Sequence, residues 1–565
     1  MKVLFLLIFA TITSYSNAAR FDNFDNFARI LHYQDGKSLV KNSDFFLSNT
    51  GIHDIKSELI ALKKSYYLPE KLQNKHPRCL FPDRYFWLSK QIKLKNYTLY
   101  PKFCTDLDKW YKDYETKSIS VLFVGGYFDN PASVFGHNLI KLNSNDDELL
   151  DLSINFGAKI PKNENSIFYI LKGLFGGYDA RFSNKDFYTQ DLIYSKNELR
   201  EIWDYELNLT LDEIVLIKLH LWAMQENKLF DYYFLKENCA YQLASIIDLV
   251  IDMDLPKNKP WYIPIEFIDK LYDQKNRIKK ITYKPSSEKI LIDKFEALSK
   301  VDAIIIKNII NGDMEVDKLQ ENKVYILDLL IDYYDYLLIK DKDNKKINNK
   351  RINILIKRFK SQDLSSKKVY KNKSQYTKPS NFSIVTNEEN LYINFSIYNS
   401  SLTNIYNDGS SELIAPRIRF KYSYNNKAFK FDEFDLFKII KLNKSFKNFM
   451  HEKYSWKAQL GVKNIQDKVK ITSSIGLGKM LFNDEKNNIY IMSLFDINKN
   501  KNKENIKLSL NYLLKTRLVT SLFSYSTSAK GEYYQVELRK QITDNTAIFI
   551  KIDENNNNFG VNYSF

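Results

Sequence analysis

The period of the hydrophobic and polar positions changes near Asn381. Before that residue, apolar side chains recur at helical spacing or in short unbroken runs, whereas after it they alternate with polar ones. Leu391, Ile393 and Phe395, for example, are each followed by Tyr, Asn or Ser. Alternating rows about ten residues long, separated by Asn, Asp, Lys and Gly turns, are typical of an outer-membrane β-barrel. We therefore predict an antiparallel barrel of about 10–12 strands over residues 381–565.

The end of the chain favours the same interpretation. Asn558, Gly560, Tyr563 and Phe565 occupy the places of the terminal signal that the outer-membrane barrel assembly machinery reads. The sequence thus predicts the outer membrane and that machinery as partners. A soluble β-sandwich with outward charges is the alternative for this region.

The region before the barrel contains helical and polar segments. Residues 256–365 carry long apolar stripes at helical spacing, and residues 366–380 form a polar linker. The chain begins with a positive Lys2, an apolar run and a small-residue cleavage site, which predict a signal peptide over residues 1–18.

Residues 19–255 mix helices and strands, which predicts an α+β domain with an N-terminal helical and loop subdomain. The pattern predicts a strand from Ser118 that ends at Gly125-Gly126, strands at His137–Leu142 and after residue 149, and two helices within 192–227. Between them, LKGLFGGYDARF predicts a Gly-rich aromatic loop that forms a lid or a substrate wall.

Composition excludes several kinds of function. The 565 residues carry a net charge of +16, but Lys, Asn and Ile are abundant throughout and no compact Arg/Lys motif of a nucleic-acid binder is present. Gly176 and Gly177 are followed by no Lys-Ser/Thr pair, so they do not form a phosphate loop. We expect no nucleic acid, no cofactor and no metal.

The chain has three cysteines, an odd number for an exported protein. Cys79 and Cys104 lie in one loop-rich stretch, and we predict a disulfide between them. Cys239 then remains as a free thiol.

Cys239 lies at the start of an amphipathic helix, directly after Asn238, a preferred N-cap residue. The helix dipole and the first-turn N–H groups favour a thiolate there. A buried structural cysteine is the alternative interpretation.

His137 opens a predicted strand, and the small residues before it, including Ser133, let another group approach its ring. Asn155 on the next strand is a candidate to orient that ring. A nucleophile, a base and an orienting group would be provided by Cys239, His137 and Asn155, respectively. Asn238 and Ser133 would support them. The alternative for His137 is a structural strand residue. Structural roles are favoured for His32, His53 and His76, since none lies beside a nucleophile or a Gly-rich turn. His220 favours the core, since its helix places it among Leu, Ile and Trp.

These motifs resemble a known family. The strand histidine followed by Asn-Cys at a helix start is similar to the permuted branch of the NlpC-type and lecithin–retinol acyltransferase superfamily. Together with CLFPDR, SVFGHNLIKL, INFGA, LKGLFGGYDARF and YYFLKENCAYQL, the chain resembles the periplasmic domain of Lnb-type lipoprotein N-acyltransferases over roughly residues 25–255. The resemblance implies a permuted papain-like fold, with Cys239 as nucleophile and His137 as base. It also implies a phospholipid acyl donor and, as acceptor, the N-terminal amine of a lipoprotein or another amine.

The sequence thus predicts an exported protein of the outer membrane with a periplasmic Cys–His catalytic domain. Two alternatives remain. One is a papain-like hydrolase, either a peptidoglycan peptidase or a phospholipase, because the first chemical step is identical. The other is a catalytically inactive binding or scaffold protein. The predicted segments are the signal peptide at 1–18, the catalytic domain at 19–255, the helical region at 256–365, the linker at 366–380 and the barrel at 381–565.

Overall fold

The computed structural model describes residues 24–128, 133–144, 148–161, 163–225, 228–256, 259–320, 323–361, 378–407, 409–443, 454–484, 486–496, 506–528, 531–554 and 556–565. The predicted signal peptide and most of the predicted linker lie outside these residues. Within them the chain forms two compact units. The first takes its residues from Met1–Leu122, His137–Gln190 and Tyr205–Lys280, and the second from Phe123–Gly136, Asp191–Asp204 and Ile281–Phe565.

A seven-stranded sheet and the helices packed on it dominate the first part of the chain. The strands are β1 (Tyr33–Gln34), β2 (Lys37–Ser38), β3 (Ser118–Val124), β4 (His137–Asn143), β5 (Leu152–Ala158), β6 (Tyr178–Asp186), β7 (Ile202–Leu207), β8 (Phe230–Tyr232) and β9 (Ile278–Lys284). The sheet order is β8-β6-β5-β4-β3-β7-β9, and β1 and β2 pair separately. The central neighbours β4, β5 and β6 are antiparallel.

Ten helices occur in the described residues before β9. They are α1 (Phe24–Ile30), α2 (Ile55–Ser65), α3 (Pro77–Leu80), α4 (Pro82–Gln91), α5 (Thr105–Asp113), α6 (Ser166–Phe175), α7 (Phe187–Asp191), α8 (Leu211–Met224), α9 (Cys239–Ile247) and α10 (Pro264–Asp273). Helix α9 packs against β4 and β5, and α8 packs against α4 and α9. The predicted disulfide is present between Cys79 in α3 and Cys104, which immediately precedes α5.

Two local predictions differ from the structure. The segment predicted as a Gly-rich loop contains the end of α6, and Gly173 within that helix leaves the space that the Phe234 ring occupies. The first of the two helices predicted within 192–227 gives way to a short π-helical segment and then to β7. The aromatic and branched side chains of β7 suit a strand, and pairing with the neighbouring strands outweighs the weak strand pattern of the segment itself.

Helices α11 (Ser287–Glu296), α12 (Lys300–Asn311), α13 (Val324–Lys340) and α14 (Lys345–Lys360) confirm the predicted helical middle region from Ser287 onward. Within the predicted range of 256–365, residues 278–284 instead form β9, because they pair with β7 at the edge of the sheet. The apolar stripes of α11–α14 meet in one core, to which all four helices contribute, for example through Leu291, Ile306, Leu330 and Ile354. In the described residues, no helix has the length and apolar character needed to cross a bilayer.

The remaining strands confirm the predicted barrel. They are β10 (Asn381–Thr386), β11 (Asn390–Ser400), β12 (Ser411–Ser423), β13 (Ala428–Lys441), β14 (Ser455–Ile465), β15 (Lys468–Asn483), β16 (Asn487–Asp496), β17 (Ile506–Lys515), β18 (Val519–Ser528), β19 (Gly531–Gln541), β20 (Thr546–Asp553) and β21 (Asn557–Ser564). Each pairs with the next, and β10 pairs with β21, so twelve strands of the described chain form a closed barrel. The α+β character, the helical middle and the barrel are therefore as predicted, whereas the papain-like arrangement stays a prediction.

The barrel wall follows the two-residue period. In β17, Leu508 and Leu510 are 50% and 46% exposed, whereas Ser509 and Asn511 are each 8% exposed. Apolar side chains therefore face outward and polar ones inward, as a lipid-embedded barrel requires. The lumen contains a cavity of about 780 Å³ lined mainly by Asn, Ser, Arg and Lys side chains.

Candidate active site

Asn238 determines how helix α9 begins. Its Oδ1 accepts hydrogen bonds from the N–H groups of Ala240 (3.0 Å) and Tyr241 (3.2 Å). Its Nδ2 donates to the carbonyl oxygens of Phe234 (3.1 Å) and Tyr262 (2.6 Å). The amide thus caps the helix and also fixes the preceding turn, which places the next residue, Cys239, at the positive end of the helix dipole.

Cys239 and His137 are brought together across 102 residues of sequence. The Sγ atom of Cys239 lies 3.0 Å from Nδ1 of His137, the first residue of β4. Cys239 is a free thiol and only 4% exposed. The distance is within hydrogen-bonding range, so the imidazole can exchange a proton with the sulfur without an intervening water.

Asn155 holds the other side of the imidazole. Its Oδ1 lies 2.7 Å from Nε2 of His137. Ile140 in β4 pairs with Ile154 in β5, and continuing that register places His137 and Asn155 on the same face of the sheet. Because an amide oxygen only accepts hydrogen bonds, Nε2 carries the proton and the lone pair of Nδ1 faces the sulfur.

Ser133, predicted as a supporting residue, lies in the segment Phe123–Gly136 of the second unit. There its carbonyl oxygen accepts hydrogen bonds from the N–H groups of Tyr127 (2.9 Å) and Gly136 (3.0 Å). This is a backbone role in the turn that precedes β4. The supporting role of its side chain stays a prediction.

Tyr232 and the rings next to it form an aromatic cluster in the same unit as the thiol. Burial raises the pKa of Tyr232 well above its ordinary value, and the charges of Cys239 and Tyr169 raise it further. Tyr232 therefore keeps its hydroxyl proton within the field of the sulfur. Its ring is stacked 6.2 Å from Phe156, which is 4.9 Å from Phe182. Tyr232 carries no signal in the sequence that would distinguish it, because an aromatic residue in a short strand is most often part of a core.

A second set of polar residues is buried in the same unit. Nδ1 of His220 lies 2.7 Å from Asp83, and its Nε2 lies 3.1 Å from Nε2 of His32. Nδ1 of His32 lies 3.4 Å from the hydroxyl of Ser245, on α9. Burial lowers the pKa of His32 well below its ordinary value. The neighbouring His220 and Arg84 lower it further. We call Asp83, His220, His32 and Ser245 the buried relay. The buried relay connects His32, near the N-terminal end of the described residues, to α9, the helix that begins with Cys239.

The described residues contain no cluster of three or more His, Cys, Asp or Glu side chains that could hold a metal ion. At the site itself, the contacts of His137 bring a thiol, an imidazole and an amide together. That set can perform nucleophilic acyl transfer.

Comparison with protein families gives two matches. A family model described as the Lnb N-terminal periplasmic domain matches residues 106–274, which include His137, Asn155 and Cys239. A second model, a domain of unknown function named DUF7843, matches residues 20–91. This second segment contributes His32 and Asp83 to the buried relay. No curated protein matches the chain.

Several solved outer-membrane proteins are similar to part of the chain. The KdgM porin is 9% identical with a TM-score of 0.22, covering 33% of this chain and 98% of its own. Outer membrane phospholipase A from Escherichia coli is 9% identical with a TM-score of 0.23, covering 35% and 93%. The NanC porin is 6% identical with a TM-score of 0.21, covering 33% and 98%. Likenesses this weak say nothing about function.

The periplasmic family and the closed barrel support an outer-membrane location with the N-terminal domain in the periplasm. The family match also points to a lipoprotein-modifying enzyme of the Lnb type. Residues 106–274 therefore match the model of the Lnb N-terminal periplasmic domain, here in one chain with an outer-membrane-type β-barrel.

Proposed function

We propose that the protein is an acyltransferase in which Cys239 takes a fatty acyl chain from a phospholipid and passes it to an amine. The observation that carries the proposal is the pair of distances at His137: 3.0 Å from Nδ1 to Sγ, and 2.7 Å from Nε2 to Asn155. A base held in this way on a thiol at a helix start is the arrangement that activates cysteine nucleophiles.

The first half-reaction acylates the enzyme. His137 Nδ1 takes the Sγ proton, and the sulfur attacks the ester carbonyl carbon of the phospholipid. The developing oxyanion forms at the start of α9, where the positive end of the helix dipole stabilises it. When the ester C–O bond breaks, the imidazolium protonates the leaving alkoxide. The products are a Cys239 thioester and a lysophospholipid.

The second half-reaction transfers the chain. The neutral amine attacks the thioester carbonyl carbon while His137 takes a proton from its nitrogen. The C–S bond breaks, and the proton passes from His137 to the departing sulfur, which regenerates the thiol. The product is an amide. The family match favours the N-terminus of a lipoprotein as the amine. If water attacks instead, the same acyl-enzyme gives a free fatty acid.

The test uses the full chain with phospholipid that carries a labelled acyl chain. We expect a hydroxylamine-sensitive label on Cys239, located by mass spectrometry of its peptide, and transfer of the label to an N-terminal S-diacylglyceryl-cysteine peptide. Cys239→Ser is the matched control, since its hydroxyl has a similar size but is a far weaker nucleophile beside the same imidazole.

Each outcome of this experiment is informative. Labelled fatty acid without labelled peptide would favour a phospholipase. An unlabelled Cys239 together with cleavage of peptidoglycan fragments would favour a peptidase. If wild type and Cys239→Ser behave alike with every substrate, the enzyme proposal is wrong and a binding or scaffold role remains.

A further inference from the structure

Helix α6 exposes an apolar face that no described part of the protein covers. Phe168, Leu171 and Phe175 are 58%, 44% and 77% exposed. Their spacing places them on one side of the helix, and Ile170 beside them is 37% exposed. Other exposed apolar side chains of the first unit, such as Leu211 at 75%, are spread over different elements. A soluble surface tolerates scattered apolar residues, but a concentrated patch marks a binding surface.

The opposite face of α6 is attached to the polypeptide that leads into the active site. The carbonyl oxygen of Gly173 accepts the N–H of Phe234 at 2.6 Å. The rings of Tyr169 and Phe234 are 5.1 Å apart, edge to face. Cys239 follows Phe234 by five residues. The exposed face and the nucleophile thus belong to neighbouring parts of one unit.

The charge on α6 indicates which partner the face fits. Among its ten residues, SIFYILKGLF, the only charged side chain is Lys172, and its Nζ is paired with Glu164 at 3.0 Å. A surface that binds another protein normally has polar side chains around its apolar centre. Phe and Leu on one side with a lysine beside them are typical of a helix that lies in the interface of a membrane.

We propose that α6 inserts Phe168, Leu171 and Phe175 into a phospholipid leaflet. The protein is located in a membrane, so such a surface is always present to it. If the proposed acyltransferase function holds, on which this part rests, α6 holds the Cys239 site at the surface from which acyl donors are drawn. Insertion itself requires no chemistry at Cys239.

The first test measures how deeply residue 175 lies in the lipid leaflet. In the full chain with Cys239→Ser, a nitroxide label is attached to Phe175→Cys, and the protein is reconstituted in phosphatidylethanolamine/phosphatidylglycerol vesicles. We expect the label to collide more with oxygen than with a water-soluble nickel chelate. Leu211→Cys, on α8 and equally exposed, should show the reverse. The same nickel accessibility at both positions would overturn the proposal. Because this protein lacks the thiol nucleophile, the result is independent of the proposed function.

The second test measures whether acylation by vesicle phospholipid depends on the exposed face of α6. With Cys239 intact, Phe168→Ser/Phe175→Ser should slow acylation by vesicle phospholipid about tenfold or more, the effect expected from removing two large apolar groups from a lipid interface. Acylation by monomeric dihexanoylphosphatidylcholine should be unchanged. Leu211→Ser should alter neither rate.

The remaining outcomes separate the two proposals. Equal loss with both donors would show that the helix belongs to the reaction pocket, and no loss with either would show that it does not dock; both overturn the docking proposal. If wild type is acylated by neither donor, the acyltransferase proposal fails while the nitroxide measurement still decides whether α6 inserts.

Discussion

At the scale of single residues, the imidazole of His137 depends on Asn155 for its orientation. The 2.7 Å hydrogen bond fixes both the ring and its tautomer. We expect Asn155→Ala to slow acylation of Cys239 between about tenfold and a hundredfold, less than the full value of general-base catalysis, because the base remains but is no longer held. Single-turnover acylation with labelled phospholipid measures this rate.

Asn143→Ala is a matched control for this change. Asn143 lies at the other end of β4 and donates to the hydroxyls of Ser118 and Ser120, both at 2.9 Å. It should affect stability without slowing acylation. Equal effects of the two substitutions would contradict the orienting role of Asn155.

The buried relay predicts a pH dependence of stability. His32 has a lowered pKa in the folded protein, so below its unfolded value of 6.5 the unfolded chain binds a proton that the folded chain does not. The free energy of unfolding should therefore fall as the pH decreases from 6.5, by up to about 1.4 kcal/mol per pH unit. Thermal unfolding of the first unit in the full chain, followed between pH 7.5 and 5, measures this change. His32→Gln should make the free energy of unfolding less dependent on pH.

The exposed His53 provides the comparison for this measurement. His53→Gln should leave the pH profile of unfolding unchanged. A profile as steep in His32→Gln as in wild type would assign the dependence to other groups.

At the scale of elements, Asn238 performs two tasks at the start of α9, and two substitutions separate them. Asn238→Ser keeps a neutral side-chain oxygen that can cap the N–H groups of Ala240 and Tyr241, but it loses the amide donor to the carbonyl oxygens of Phe234 and Tyr262. Asn238→Ala loses both the cap and the donor. We expect losses of about 1–3 kcal/mol for the unpaired buried carbonyl and about 1 kcal/mol more for the cap. Thermal unfolding measures these losses, and a serine variant as unstable as the alanine variant would contradict the two separate tasks.

The segment between β11 and β12 folds into the barrel. Leu402 is buried in an apolar cluster with Ile440 and Met492, and Thr403 donates to Glu537 at 2.6 Å. We expect the intact protein to give no steady conductance in planar bilayers. Replacing residues 401–410 by a short Asn-Gly turn should open the lumen. Replacing the turn at 424–427 in the same way is the control, and conductance from the intact barrel would contradict the prediction.

At the scale of the whole molecule, closure of the barrel depends on its last residues. Strand β21 pairs with both β20 and β10, and the N–H of Phe565 bonds to the carbonyl of Ser380 at 2.9 Å. We expect Phe565→Ala to lower the amount of folded protein in the outer membrane severalfold, measured by fractionation and heat-dependent gel mobility. Phe523→Ala, which replaces another outward aromatic residue of the barrel, should have little effect. Equal amounts of both variants would contradict a terminal assembly signal.

Local patterns were enough to predict many of these features. The two-residue period predicted the barrel, helical stripes predicted the middle region, and the spacing of Cys79 and Cys104 in one loop-rich stretch predicted their disulfide. The same reasoning was wrong for α6 and for the segment that forms β7. In both places the segment contacts a neighbour distant in sequence, the ring of Phe234 or the adjacent strands.

The sequence by itself determined the presence of the barrel, the helical middle region and the alternation of outward and inward side chains in several barrel strands, and it suggested which residues could carry cysteine chemistry, because periodicity, capping and side-chain chemistry act over a few residues. Only the tertiary structure decided that Sγ lies 3.0 Å from Nδ1, that Asp83, His220, His32 and Ser245 form one relay, and that one face of α6 stays uncovered. Those features depend on packing between segments many residues apart, which no local pattern encodes.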